Sequence, residues 1–291
     1  MRSSPTVRRH RLGRELREQR ERAKLTHAKL GNEIGVSAAK ISRLENGQGR
    51  PDEIVIRQIA DALDVTGDDR AELVELARTA AVHGWWTSQP MDRRQATYAD
   101  FESGAQTIRE YQSTIVPGLL QIEAYTQSVC ETDDLTLVGS IPTTSEAVLR
   151  ARSGRQTMLW DPDGPQSYEV IIHEVVARGF SAPPEILASQ LHYLASVGSR
   201  RRVTLRVLPV SAKVHGYMVP RGPFSLYTFE DRKDPVVAAV DTLTADVVLM
   251  EGNEVGQYES LWERLQKAAL STEDSAALLT EAAAEMERIS S

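Results

Sequence analysis

The side chains best suited to chemistry in this 291-residue chain lie between Thr26 and Arg50. Ser37, Ala38, Ala39, Ser42 and Arg43 fall on the outward side of one short helical stretch. An arginine there can donate two hydrogen bonds to O6 and N7 of guanine, and alanine methyls can pack on the methyl of thymine. Thr26, His27, Lys40, Asn46 and Arg50 are polar or cationic and suit phosphate oxygens. Phosphate contacts fix register without reading sequence. The chemistry implied is recognition of base edges in the major groove of double-stranded DNA.

Such side chains need a short rod held at a fixed angle. Thr26 can cap a first helix, on which Leu30 and Ile34 share one face. Gly35 supplies a sharp turn, and Ser37 caps a second helix whose Ile41 and Leu44 point inward. Gly47, after Asn46, ends it, and Gly31 leaves room for two backbones to cross. This is helix-turn-helix spacing, with the second helix entering the groove by its N-terminal residues.

Around this pair the apolar pattern predicts further helices. Residues 8–23 turn Leu12, Leu16 and Ala23 inward. A helix opening at Pro51-Asp52 carries Val55, Ile56, Ile59, Ala60 and Leu63, and residues 68–82 carry Leu73, Leu76, Ala77 and Ala80. Residues 1–82 are thus expected to form a mainly α, five-helix DNA-binding domain. Residues 83–97 form a junction in which Trp85 and Trp86 anchor the chain to the second domain. Residues 98–291 are expected to be an α+β domain with a mostly antiparallel sheet. Helices are predicted over 98–112, 119–129, 145–159, 184–197, 255–270 and 272–289. Strands are predicted over 168–173, 203–208, 224–229, 236–240 and 247–250.

Composition narrows the class. Hydrophobic residues at 41% and charged residues at 26% fit a globular chain with room for two cores. Cys130 is the single cysteine, which excludes an internal disulfide and suits a reducing cytoplasm. No apolar run approaches the roughly 20 residues of a membrane span. The basic N-terminus lacks a following apolar segment, so no secretory signal is expected. Residues 1–50 hold 13 Lys and Arg against 5 Asp and Glu, net +8, leaving −15 on the remainder. A basic head on an acidic body confines nucleic-acid contact to the head.

Catalytic motifs are missing. His173-Glu174 lacks the second histidine of a zinc-protease helix, and His192 and His215 have no metal-ligand spacing. Ser153-Gly154 makes no nucleophile elbow, and no glycine-rich phosphate loop occurs. Neither a metal nor a cofactor is expected, and the chain reads as a non-enzyme.

Residues 12–65 resemble the phage-repressor-like (Xre-type) helix-turn-helix domain. The matching residues are Leu16, Arg20, Leu25-Thr26, Leu30, Gly35-Val36-Ser37, Ile41-Ser42-Arg43-Leu44-Glu45-Asn46-Gly47 and Pro51. The resemblance implies base reading mainly by Ala38, Ala39 and Arg43, and an internal ion pair between Arg20 and Glu45. The family usually has glutamine where His27 stands, so a phosphate contact from His27 would vary with pH near ~6.5.

The remainder resembles the C-terminal domain of actinobacterial WhiJ-like regulators. That likeness rests on Gly84-Trp85-Trp86, on Val116-Pro117-Gly118-Leu119-Leu120-Gln121 with Tyr125, and on Gly222-Pro223-Phe224. It implies a homodimeric, sequence-specific regulator working at the nucleoid. The C-terminal domain would dimerise and receive a signal from a small acidic protein encoded nearby, in an antitoxin-like arrangement. The alternative is a small-molecule sensor, with Trp160, Tyr168, Tyr217 and Tyr227 lining a pocket. Arg150, Arg152 and Arg155 offer either an anion site or a solvated or interface helix face.

Overall fold

The computed structural model describes residues 4–88, 91, 93–132, 145–179, 181–198, 200–216, 222–242 and 246–291. The chain divides into two compact units: Met1–Ser88 with Phe229–Pro235, and Gln89–Thr228 with Val236–Ser291.

In the first unit, α1 (Pro5–Arg22), α2 (His27–Ile34), α3 (Ala38–Glu45), α4 (Glu53–Ala62) and α5 (Gly67–Ala80) precede a 3₁₀ turn at Trp85–Ser88. That turn is one helical segment beyond the five expected. Short polar side chains set the helix starts, because the first backbone N–H groups of a helix lack partners within it. Ser4, Thr26 and Ser37 each accept from the N–H three residues on, at 3.2 Å. Asp52 accepts from Ile54 N at 2.9 Å. Leu12, Leu16, Leu30, Ile41, Leu44, Ile56, Ile59, Leu73 and Leu76 close one core. Trp86 is buried, and its ring stands edge-on to Trp85 with centroids 6.1 Å apart.

The distant segment 229–235 completes this unit electrostatically. Arg11, buried on α1, donates to Glu15 at 2.9 Å, Asp231 at 2.6 Å and Asp234 at 3.1 Å, and also to Glu72. Arg8 lies 3.5 Å from Asp234. Burial pulls the Arg11 guanidinium down, but its bonds to Glu15, Asp231 and Asp234 outweigh this and raise it. Part of the basic character counted in the first fifty residues is therefore consumed inside the fold.

In the second unit, α6 (Arg93–Gly104) leads into β1 (Thr107–Gln112), where a single helix over 98–112 was expected. A 3₁₀ turn (Gly118–Leu120), α7 (Glu123–Thr132) and α8 (Ser145–Trp160) come next. Then come β2 (Ser167–His173), α9 (Glu174–Arg178), α10 (Pro184–Val197) and β3 (Val203–Leu208). β4 (Phe224–Thr228), β5 (Val237–Val240), β6 (Val247–Leu249), α11 (Gly252–Ala268) and α12 (Thr272–Ser290) finish it.

The sheet has six strands in the order β3-β2-β1-β4-β5-β6. It is mixed, which corrects the mostly antiparallel expectation. β1, β2 and β3 run parallel, whereas β4 pairs antiparallel with β1 and β5, and β6 antiparallel with β5. Helical segments connect β1 to β2 and β2 to β3, and such crossovers return strands parallel; in sequence β1 reads as the end of a helix, and the helix over 184–197 does not read as a crossover. The register places Tyr111, Ile171, Leu208, Phe224, Leu226 and Ala238 on one face, packed on Val255, Trp262 and Leu265 of α11. The period of two then puts Ile108, Glu110, Gln112, Tyr168, Ser225 and Tyr227 on the other face. All six are buried, and three of them are polar and not aromatic.

Candidate nucleic-acid interface

The turn between α2 and α3 is fixed by two glycines. Gly35 has φ +72°, the left-handed region that a side chain strains. A Cβ on Gly31 would lie 2.6 Å from Val36 O, so only hydrogen lets the turn pack on α2. The pair is aimed by α1. Arg20 forks onto Glu45, with Nε to Oε1 at 2.6 Å and Nη2 to Oε2 at 2.8 Å, and its Nη1 donates to Leu25 O. One side chain thereby ties α1 to the last turn of α3 and to the loop before α2.

Glu45 is the hub. Its carboxylate is buried, and it also meets His27 Nε2 at 3.0 Å and Arg17 Nε at 3.6 Å. Burial pushes this carboxyl up, but the hydrogen bonds from Arg20 and His27 prevail and hold it below its ordinary range. Arg17, which sequence reasoning passed over, also donates to Asn46 Oδ1 at 2.7 Å. Its signal was available, since Arg17 stands one helical turn before Arg20.

The predicted contact residues divide by how they are engaged. The Thr26 and Ser37 hydroxyls are occupied as acceptors of cap bonds, leaving each O–H able to donate outward. His27, Ser42 and Asn46 have intramolecular partners: Glu45 for His27, and a 3.5 Å bond between Asn46 Nδ2 and Ser42 Oγ. Ala38, Ala39, Arg43 and Arg50 are exposed and Lys40 is half-buried. The Lys40, Arg43 and Arg50 side chains have no hydrogen-bond partner among the described residues, so their cationic ends are available.

In the second unit, the aromatics expected to line one pocket are spread apart. Tyr227 lines a cavity, and Tyr168 donates to Glu110 beneath it. Trp160 lies at the surface with Arg200 stacked over its ring at 5.7 Å. Tyr217 lies outside the described residues. Among those residues no helix is long and apolar enough to cross a membrane.

The geometry of α2 and α3 agrees with comparison to known proteins. Residues 11–73 match the family described as a helix-turn-helix domain. A 54-residue stretch is 48% identical to the HTH-type transcriptional repressor RghR of Bacillus subtilis (strain 168), covering 18% of this chain and 40% of that protein. No solved structure matches. Residues 11–73 are thus an Xre-type helix-turn-helix domain, and the chain spans less than half the length of the curated relative it matches. Residues 95–281 match the domain of unknown function DUF5753, and with more than half its length matched the chain belongs to that family.

Proposed function

We propose that α3 enters the major groove, with Ala38, Ala39 and Arg43 at the base edges and Thr26, His27, Ser37, Lys40, Ser42, Asn46 and Arg50 toward the backbone. The observation that carries this reading is the exposure of Ala38 and Ala39 at the start of α3, followed one turn later by an exposed Arg43 with no hydrogen-bond partner among the described residues. Two alanine methyls beside one guanidinium favour thymines next to a guanine. Arg20 and Glu45 serve the fold and leave the groove to their neighbours. Genome-wide mapping of bound sites, with the wild type and with Arg43→Ala, tests it. The motif should contain a guanine whose preference disappears in the variant, and a motif unchanged by the substitution would remove Arg43 from base reading.

One such head covers too little DNA for tight specific binding, so we further propose a homodimer on paired half-sites spaced by about one helical turn, 10–10.5 bp. Dimerisation and reception of a signal, including docking of a small acidic protein encoded nearby, are assigned to the second unit. RghR is named a repressor, which supports repression as the sign of control here. Sedimentation of the chain with and without a two-half-site duplex tests the dimer: a single head per duplex would rule it out.

A further inference from the structure

Within the second unit a cavity of about 230 Å³ opens between the polar side of the sheet and the helices that cover it. Two of the segments that carry the C-terminal resemblance meet there. Gly118 and Gln121 come from the first, and Pro223 and Phe224 from the second. The first segment is held rigidly. Gln156 donates to Gly118 O at 3.1 Å and Gln121 O at 2.7 Å, Gln190 donates to Leu120 O at 2.8 Å, and Gln121 donates to Val116 O at 2.7 Å. Three glutamines committed to one six-residue turn amount to scaffolding for a wall.

The charges around the cavity do not cancel. Arg155 is neutralised, with Nε on Glu102 Oε2 at 2.8 Å and a second bond from Nη2 to the same carboxylate. Burial pushes the Glu110 carboxyl up, beyond what bonds from Tyr168 and Gln112 recover, which favours its neutral form. Asp241, also in the lining, has a partner of its own. Arg152 remains. Its one hydrogen bond among the described residues goes from Nη1 to Gln121 Oε1, a neutral oxygen already served by Thr126 at 3.1 Å. Among the described residues its buried Nε has no acceptor, and the buried Gln112 Oε1 has no donor. Burial and the neighbouring Arg155 pull Arg152 down to about 10, so it is still a cation at neutral pH. An unneutralised buried cation is costly to the fold unless something else answers it. The absence of a side chain at Gly118 leaves space beside it: a Cβ there would meet only Arg152, at 3.8 Å from Nε and 4.0 Å from Cζ.

We propose that this cavity binds a small organic monocarboxylate, with the carboxylate paired to Arg152 and a hydroxyl or amino donor of the ligand reaching Gln112 Oε1. The volume lies below the roughly 300–1,000 Å³ of pockets for drug-sized ligands, which fits a small metabolite. Ile115, Val129, Val148 and Tyr227 supply apolar walls for its body. Arg152, with no carboxylate paired to it among the described residues, suits a monoanion; a phosphate dianion would bring a second negative charge into a lining that already holds Glu102 and Asp241. The site is independent of DNA reading, and it gives a chemical form to signal reception by the second unit without requiring it.

The test uses the full chain, with melting temperature and ligand-observed NMR as readouts and 4-hydroxybenzoate, mandelate and 3-hydroxybutyrate as probes. At least one should bind saturably and raise the melting temperature, while 4-hydroxybenzyl alcohol and inorganic phosphate should not. Arg152→Met should weaken that binding ~10-fold or more, since it removes a charge-assisted pair. It should leave the free protein as stable as before or more so, because it removes a buried charge. Gly118→Leu, which grows into the space beside the guanidinium, should abolish binding in a folded chain, and it decides the matter alone if Arg152→Met does not fold. Failure of all three carboxylates to bind, equal binding by both variants, or equal response to phosphate overturns the proposal. DNA affinity enters none of these readouts, so failure here leaves the helix-turn-helix reading standing.

Discussion

Arg20 and Arg43 carry the same guanidinium into opposite surroundings. Arg20 is buried, forked onto Glu45 and raised by that hydrogen bond, so its charge is spent on holding α1 against α3. Arg43, one turn along the exposed side of α3, has no hydrogen-bond partner among the described residues. Substituting each should therefore fail differently. Arg43→Ala should leave the melting temperature in place and cost ~1–3 kcal/mol of specific binding, with preference relaxed at one base position in a randomised-site selection. Uniform weakening on all sequences would instead mark a phosphate contact. Glu45→Gln should lower the stability of the first unit by about 3 kcal/mol in urea unfolding, because Arg20 stays buried with half its compensation gone. Acid should imitate that substitution. The Glu45 carboxyl titrates lower in the fold than in the open chain, so its contribution is complete above the ordinary value of about 4.3 and is lost as pH falls through the depressed one. Unfolding of the first unit followed below neutrality should show this loss in the wild type and not in Glu45→Gln.

Elements differed sharply in how far they could be read from sequence. The α2–α3 pair was legible because every determinant is local: Thr26 and Ser37 cap, Gly35 turns, and Leu30, Ile34, Ile41 and Leu44 face inward within one short stretch. β1 was hidden because Phe101, Ala105, Ile108 and Tyr111 repeat at helical spacing across a helix end at Gly104 and a strand start at Thr107. Its polar Glu110 and Gln112 also look wrong for an interior strand until the cavity above them is known. Missing that strand removed one of the two parallel pairs, β1 with β2; the other, β2 with β3, joins two strands that the sequence did show. The Arg11 cluster was illegible for another reason: its partner Asp234 is 223 residues away, and nothing local signals such a contact. That contact makes the 229–235 segment a working part of the first unit. Replacing Asp231 and Asp234 together by alanine should leave Arg8 and Arg11 poorly compensated and cost the first unit several kcal/mol, on the order of 3–5. Hydrogen exchange would localise the loss to α1 and α5, where Arg11 and Glu72 sit, and unchanged protection there would show the segment to be dispensable.

Across the whole molecule, the sequence-level picture of a strongly basic head needs revision. The first unit, counted with its distant segment, carries 18 Lys and Arg against 16 Asp and Glu, and the second carries 16 against 25. Attraction to DNA therefore cannot come from net charge alone. It has to come from where the free cations lie, and among the candidate contacts those are Lys40, Arg43 and Arg50. A small set of phosphate contacts gives a definite salt law, because each neutralised phosphate releases counterion and contributes about −0.9 to the slope of log K against log salt. Lys40→Ala and Arg50→Ala should each weaken binding to all duplexes alike and make the slope shallower by about 1, additively, with base preference intact. Arg43→Ala should leave much of the slope while erasing preference. If affinity is flat with salt, or if Lys40 and Arg50 leave the slope untouched, the DNA lies on some other surface than the α2–α3 face.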